Sequence, residues 1–161
     1  MNKKLGYILK EENTDEILDK FYEDWVEIDW ALEYFNIDTN YRDNEEKIKK
    51  DIISQFEYCC KKAVQNQKQN NKGIIKYIQI SFLRTSIMEG KSDYRVDFFD
   101  ENWYGDKVET AGNIKFDFVF NYFFDYIEEL KKKCKSYSNK ITEMDIERIV
   151  MQECYIYHIL A

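Results

Sequence analysis

Between Asn13 and Asn36 the apolar residues Leu18, Phe21, Trp25, Ile28, Leu32 and Phe35 recur at steps of three, four, three, four and three. That spacing draws one stripe along a helix. Asn13 or Thr14 can cap it, and Asp15 and Glu16 fill the first turn, where the helix dipole favours negative charge. Asp43 and Glu46 then supply a cap for a second helix, whose inward stripe is Ile48, Ile52, Phe56, Cys59, Cys60 and Ala63, ending near Gln67. The Gln/Asn/Lys tail up to Lys72 reads as a loop.

From Gly73 the helical period stops, and four glycines (Gly73, Gly90, Gly105, Gly112) fall between candidate strands. A turn centred on Glu89 to Ser92 sets Leu83, Thr85 and Ile87 opposite Phe98, Val96 and Tyr94 on one face of a hairpin. The same register places Arg84 across from Asp97 on the other face. A third strand is expected around Lys107 to Thr110. Helical spacing returns with Phe116, Val119, Phe120, Phe123, Ile127, Leu130 and Cys134. The last helix starts at Thr142, with Asp145 completing a capping box and Ile141 and Ile146 placed for a hydrophobic staple. The expected fold class is α+β: two N-terminal helices, a small antiparallel β-meander of about three strands, and two C-terminal helices, in a single globular domain over residues 1–161. The short segment from Lys4 to Leu9 is either a strand of that sheet or a lead into the first helix.

Composition narrows the class. With 17% aromatic residues and no Pro, the chain has the apolar content to fold and lacks Pro-rich linkers or ligand motifs. The N-terminal Leu5 to Leu9 run is too short for a secretory signal core, and no stretch of 18 apolar residues occurs. Four cysteines without a CxxC pair read as reduced thiols, which points to a cytoplasmic protein.

Catalytic equipment is sparse. The only His, His158, sits in the last turn of a helix, where its charge complements the dipole. No Cys or His pair has zinc spacing, no glycine-rich phosphate loop occurs, and the Asp100 to Asp106 loop lacks the Glu that a calcium loop needs at its twelfth position. Neither a metal nor a cofactor is expected.

Charge carries the one asymmetry. Residues 10 to 40 hold eleven acids and two bases, leaving 20 acids and 22 bases for the rest of a chain whose net charge is −7. On a helical wheel Glu12, Glu16, Asp19, Glu23 and Glu27 form a ridge almost opposite the apolar stripe, and Trp30, Tyr34 and Tyr22 flank that stripe as candidate interface anchors. Such a ridge suits a basic protein partner and repels nucleic acid itself. The expected function is a non-enzymatic protein-binding module: an acidic inhibitor, of the immunity-protein, antitoxin or anti-defence kind, docking its first helix on a nuclease or other nucleic-acid-processing complex. The alternative is a small-molecule binder or enzyme with an aromatic pocket between sheet and helices. Tyr94, Trp103, Tyr122 and Tyr126 would line that pocket, with Arg84, Arg95, Asp97 and Asp100 as polar groups. Homo-oligomerisation through the aromatic surplus is a third outcome, and no membrane association is expected.

Overall fold

The computed structural model describes residues 16–137 and 140–161, those at 27–30 by backbone alone. Residues 16–21 are α-helical, Tyr22–Val26 make one π-helical turn, and the long helix α1 (Glu27–Lys68) follows without a break. A three-stranded antiparallel sheet comes next: β1 (Tyr77–Phe82), a short helix α2 (Arg84–Met88), β2 (Asp93–Phe99), a 3-10 turn at Trp103–Gly105, and β3 (Ala111–Lys115). Helices α3 (Asp117–Cys134) and α4 (Glu143–Leu160) complete the α+β fold. The chain forms two compact units, one from residues up to Thr39 with Tyr122–Leu160, the other from Asn40–Asn121.

In the first unit the core is Leu18, Phe21, Val26 and Ile37 with Phe123, Tyr126, Ile127 and Leu130 of α3 and Ile146, Ile149, Cys154 and Tyr157 of α4. The Phe123 and Tyr157 rings lie 4.7 Å apart, and Phe21 meets Tyr137 edge-on at 5.2 Å. Of the expected stripe Leu18 and Phe21 are buried, and the side chain of Ile28 lies outside the described residues. A π turn takes in one residue more than an α turn, so the inward line steps from Phe21 to Val26 and later to Ile37. One inserted residue rotates everything after it by about 100°. Leu32 and Phe35, expected in the core, are therefore 59% and 64% exposed, and Trp25 is half-buried. Nor is there a loop before the second helical stretch. The break is a kink at Asn44, whose φ of −123° and ψ of 16° are non-helical and whose side-chain amide donates to the Asn40 carbonyl at 3.1 Å.

The capping box at the start of α4 is complete. Thr142 N donates to Asp145 Oδ2 at 2.8 Å, and Asp145 N donates to Thr142 Oγ1 at 3.3 Å. Ile141 and Ile146 are both buried beside it, as a staple requires.

In the second unit the β1–β2 register is Ile78 to Phe98, Ile80 to Val96 and Phe82 to Tyr94. The hairpin strand thus lies five residues earlier than expected. Residues 84–88 form α2 instead, turning their apolar member Ile87 inward, and Gly90 at φ +71° completes the connection. Gln79, not Arg84, stands across from Asp97. The third strand is Ala111–Lys115, following the expected Lys107 to Thr110 segment instead of coinciding with it.

One sheet face packs on α1. Phe56 lies 6.5 Å from Phe98, and Gln55 Oε1 accepts from Lys115 N at 2.8 Å. A Cβ on Gly112 would fall 2.4 Å from Cys59 Sγ, so only glycine allows this approach. Tyr94 is buried on the same face against Phe82, Phe116 and Phe120. The other face presents Gln79, Arg95, Asp97 and Phe99.

Candidate functional site

Along the first helical stretch Glu16, Asp19, Glu23 and Asp24 are exposed. Among the described residues no base forms an ion pair with Glu16, Asp19 or Glu23, and Lys20 is the only base between Glu16 and Tyr41. Glu12 lies outside the described residues, as do the side chains of Glu27 and Trp30. Tyr34 is 46% exposed, close in sequence to the exposed Leu32 and Phe35. The inner side of this stretch is tied down by polar contacts. Trp25 Nε1 donates to Tyr137 Oη at 2.9 Å, with the Lys133 ammonium 4.4 Å from the Trp25 ring centre. Tyr22 Oη donates to Glu153 Oε1 at 2.8 Å. Glu153 is buried, and burial pushes its carboxyl above the usual range, with the Tyr22 hydrogen bond opposing in part.

The second candidate is a cleft of about 360 Å³ on the open face of the sheet. Its floor is Gln79, Arg95 and Asp97, and its wall is the loop between β2 and β3, carrying Tyr104, Asp106 and Glu109. Lys72 pins that loop. Its ammonium donates to Asp106 Oδ2 at 2.5 Å and to the Val108 carbonyl at 2.6 Å, and the two charged side chains are only 1% and 4% exposed. Asp106 also accepts the amides of Asp100 at 2.9 Å and Val108 at 3.0 Å. Burial works against the charged form of Asp106. The Lys72 hydrogen bond and the two amides outweigh it and hold the carboxyl below its ordinary value.

On the floor, Arg95 Nε donates to both Asp97 oxygens at 2.8 and 2.9 Å, and Nη2 donates to Glu109 Oε1 at 2.5 Å. The hydrogen bonds it donates to those two carboxylates hold the guanidinium above even its usual high pKa. Tyr104 Oη donates to Gln79 Oε1 at 2.8 Å, fixing a ring that is 70% exposed.

Of the residues singled out as polar or aromatic ligand contacts, Arg95 and Asp97 meet in this cleft. Trp103 stands behind it, 4.1 Å from Tyr77 and 5.8 Å from Phe99 between ring centres. Arg84 opens α2 and lies outside β1, so the register that was to bring it to Asp97 does not form. Tyr94 serves the core of the second unit, and Tyr126 that of the first. Lys72, Gln79, Tyr104, Asp106 and Glu109 were missed. The acid- and aromatic-rich Asp100 to Asp106 loop was the only local signal. Its connection to Lys72 spans 34 positions and leaves no periodicity.

Among the described residues no group of three or more His, Cys, Asp or Glu side chains is placed to hold a metal ion. Among them too, no helix is long and apolar enough to cross a membrane. All four cysteines are free thiols, with Cys59 and Cys154 buried, and burial pushes the Cys59 thiol up. Comparison with protein-family models, with curated proteins and with solved structures finds no match to this chain.

Proposed function

We propose that the chain is a non-enzymatic protein-binding module that docks its first helical stretch on a basic partner, and that it acts as an inhibitor of a nuclease or other nucleic-acid-processing protein. One observation carries the reading. Carboxylates that form no ion pair among the described residues (Glu16, Asp19, Glu23) and large apolar side chains (Leu32, Tyr34, Phe35) are exposed along the same helical stretch. Solvated like charges steer a basic surface toward the helix, and desolvated apolar and aromatic side chains supply affinity once it arrives. With Leu32 and Phe35 turned out of the core, Tyr34 gains two apolar neighbours as anchors on that stretch.

The test is affinity capture from the native lysate at low and moderate salt. Wild type is compared with a Glu16→Lys, Asp19→Lys, Glu23→Lys variant and with a Leu32→Ser, Phe35→Ser variant. The expected result is a basic protein retained by wild type only, its binding weakened by salt, with a loss of about tenfold or more in affinity for each variant. Equal capture by all three forms would refute the reading.

A further inference from the structure

The cleft on the open sheet face is lined by residues of the second unit alone, and its chemistry can be read independently. We propose that it binds a neutral saccharide, holding hydroxyls between Arg95 and the carboxylates of Asp97 and Glu109 while Tyr104 stacks on the sugar ring.

The site is built before any ligand arrives. Its volume of about 360 Å³ suits a small molecule. The loop that walls it is fixed by the buried Lys72–Asp106 pair and by two backbone amides on Asp106. A buried ion pair contributes little net stability, since desolvation offsets its attraction, so the fixed geometry is its main effect. The same loop holds Trp103 at φ +52°, a left-handed conformation that is strained for a non-glycine residue. Packing against Tyr77 and Phe99 offsets that strain and sets the position of the neighbouring Tyr104.

The polar groups select the ligand. Arg95 uses Nε and Nη2 on Asp97 and Glu109, and its Nη1 has no hydrogen-bond acceptor among the described residues. Donors thus sit beside carboxylate oxygens that retain free lone pairs. Arg95 with two carboxylates sums to −1, which disfavours phosphate or a carboxylate ligand, and the guanidinium between them disfavours a cation. A hydroxyl donates and accepts at once, so adjacent hydroxyls satisfy guanidinium and carboxylate together without adding charge. The Tyr104 ring, held by Gln79 yet 70% exposed, offers a flat apolar surface to the C–H face of a pyranose.

The experiment is a titration of the ¹⁵N-labelled full chain, followed by two-dimensional NMR. The saccharide probes are glucose, galactose, mannose, N-acetylglucosamine and the disaccharides cellobiose and lactose, with inorganic phosphate and putrescine as charged comparators. The expected result is saturable shifts at Asp97, Tyr104 and Glu109 with at least one saccharide and none with phosphate or putrescine. Glu109→Gln and Tyr104→Ala change solvent-exposed side chains and keep the rest of the spectrum in place. Each should weaken that saccharide about tenfold or more. The proposal is overturned if no saccharide shifts these residues, if phosphate or putrescine does so instead, or if both variants bind like wild type.

Discussion

Two carboxyl groups, one in each compact unit, are removed from water and titrate in opposite directions. Among the described residues Glu153 in α4 has a single hydrogen-bond donor, Tyr22, and burial raises its pKa. Asp106 in the sheet unit receives an ammonium and two amides, and its pKa falls although its side chain is only 4% exposed. Burial alone therefore does not decide the charge state; the number and charge of the donors do. The same contrast extends to the surface. On the first helical stretch Glu16, Asp19 and Glu23 are exposed and form no ion pair among the described residues, which suits long-range steering. On the sheet Arg95 is closed by Asp97 and Glu109, and what remains is hydrogen-bond geometry.

The sharpest way to break the comparison is Lys72→Met, which strips Asp106 of its counter-charge. Loss of one partner of a buried pair should destabilise the fold by about 3–5 kcal/mol in chemical denaturation, and adding Asp106→Leu should restore much of it. If Lys72→Met unfolds at the wild-type midpoint, the pair does not hold the loop. Next in size is Gly112→Ala, whose Cβ would collide with Cys59 Sγ. A loss of about 1–3 kcal/mol is expected, reduced when Cys59→Ala is combined with it, and equal losses with and without that change would rule out the steric cause.

The third prediction concerns pH. Because the Asp106 pKa is lowered on folding, its contribution is present above the unfolded-state value of about 3.8 and is lost as pH falls toward the folded value. Glu153 runs the other way. Its raised pKa makes stability fall as pH rises from the unfolded-state value of about 4.5 up through the folded one. Glu153→Gln should therefore gain stability at neutral pH relative to wild type and flatten the profile above pH of about 4.5, measured by thermal melts across pH. A smaller gain at pH 7 than at pH 4 would contradict the assignment. The smallest effect is Asp19→Gln, which relieves like charges four residues apart and should raise stability by only a few tenths of a kcal/mol. A large loss on that change would mean that Asp19 has a structural partner.

What was legible in the sequence follows from the range of each interaction. The Thr142–Asp145 box and its Ile141–Ile146 staple involve neighbours in the chain, and both form where the spacing places them. The buried face of α3 repeats with the helical period and was readable for the same reason. The hairpin was legible as a hairpin but not in its register. Two consecutive alternating segments, 78–82 and 83–87, compete for the same partners on β2, and only packing chooses between them. In the cleft, Arg95 and Asp97 were legible as polar groups of a pocket, but their contact with each other was not. Lys72 did not, since nothing local marks a lysine in a Gln/Asn/Lys run as the anchor of a loop 34 positions away.

Local patterning by itself determined the α+β order, the Thr142–Asp145 cap and the concentration of negative charge in residues 10 to 40. The tertiary structure decided phase and pairing: the π turn at Tyr22–Val26 that turned Leu32 and Phe35 outward, the strand that faces β2, and the Lys72–Asp106 pair. The reason is physical. A period is written in the spacing of side chains along one segment, whereas its rotation about the axis and its partner across space are set by which buried contacts close best once every segment is present.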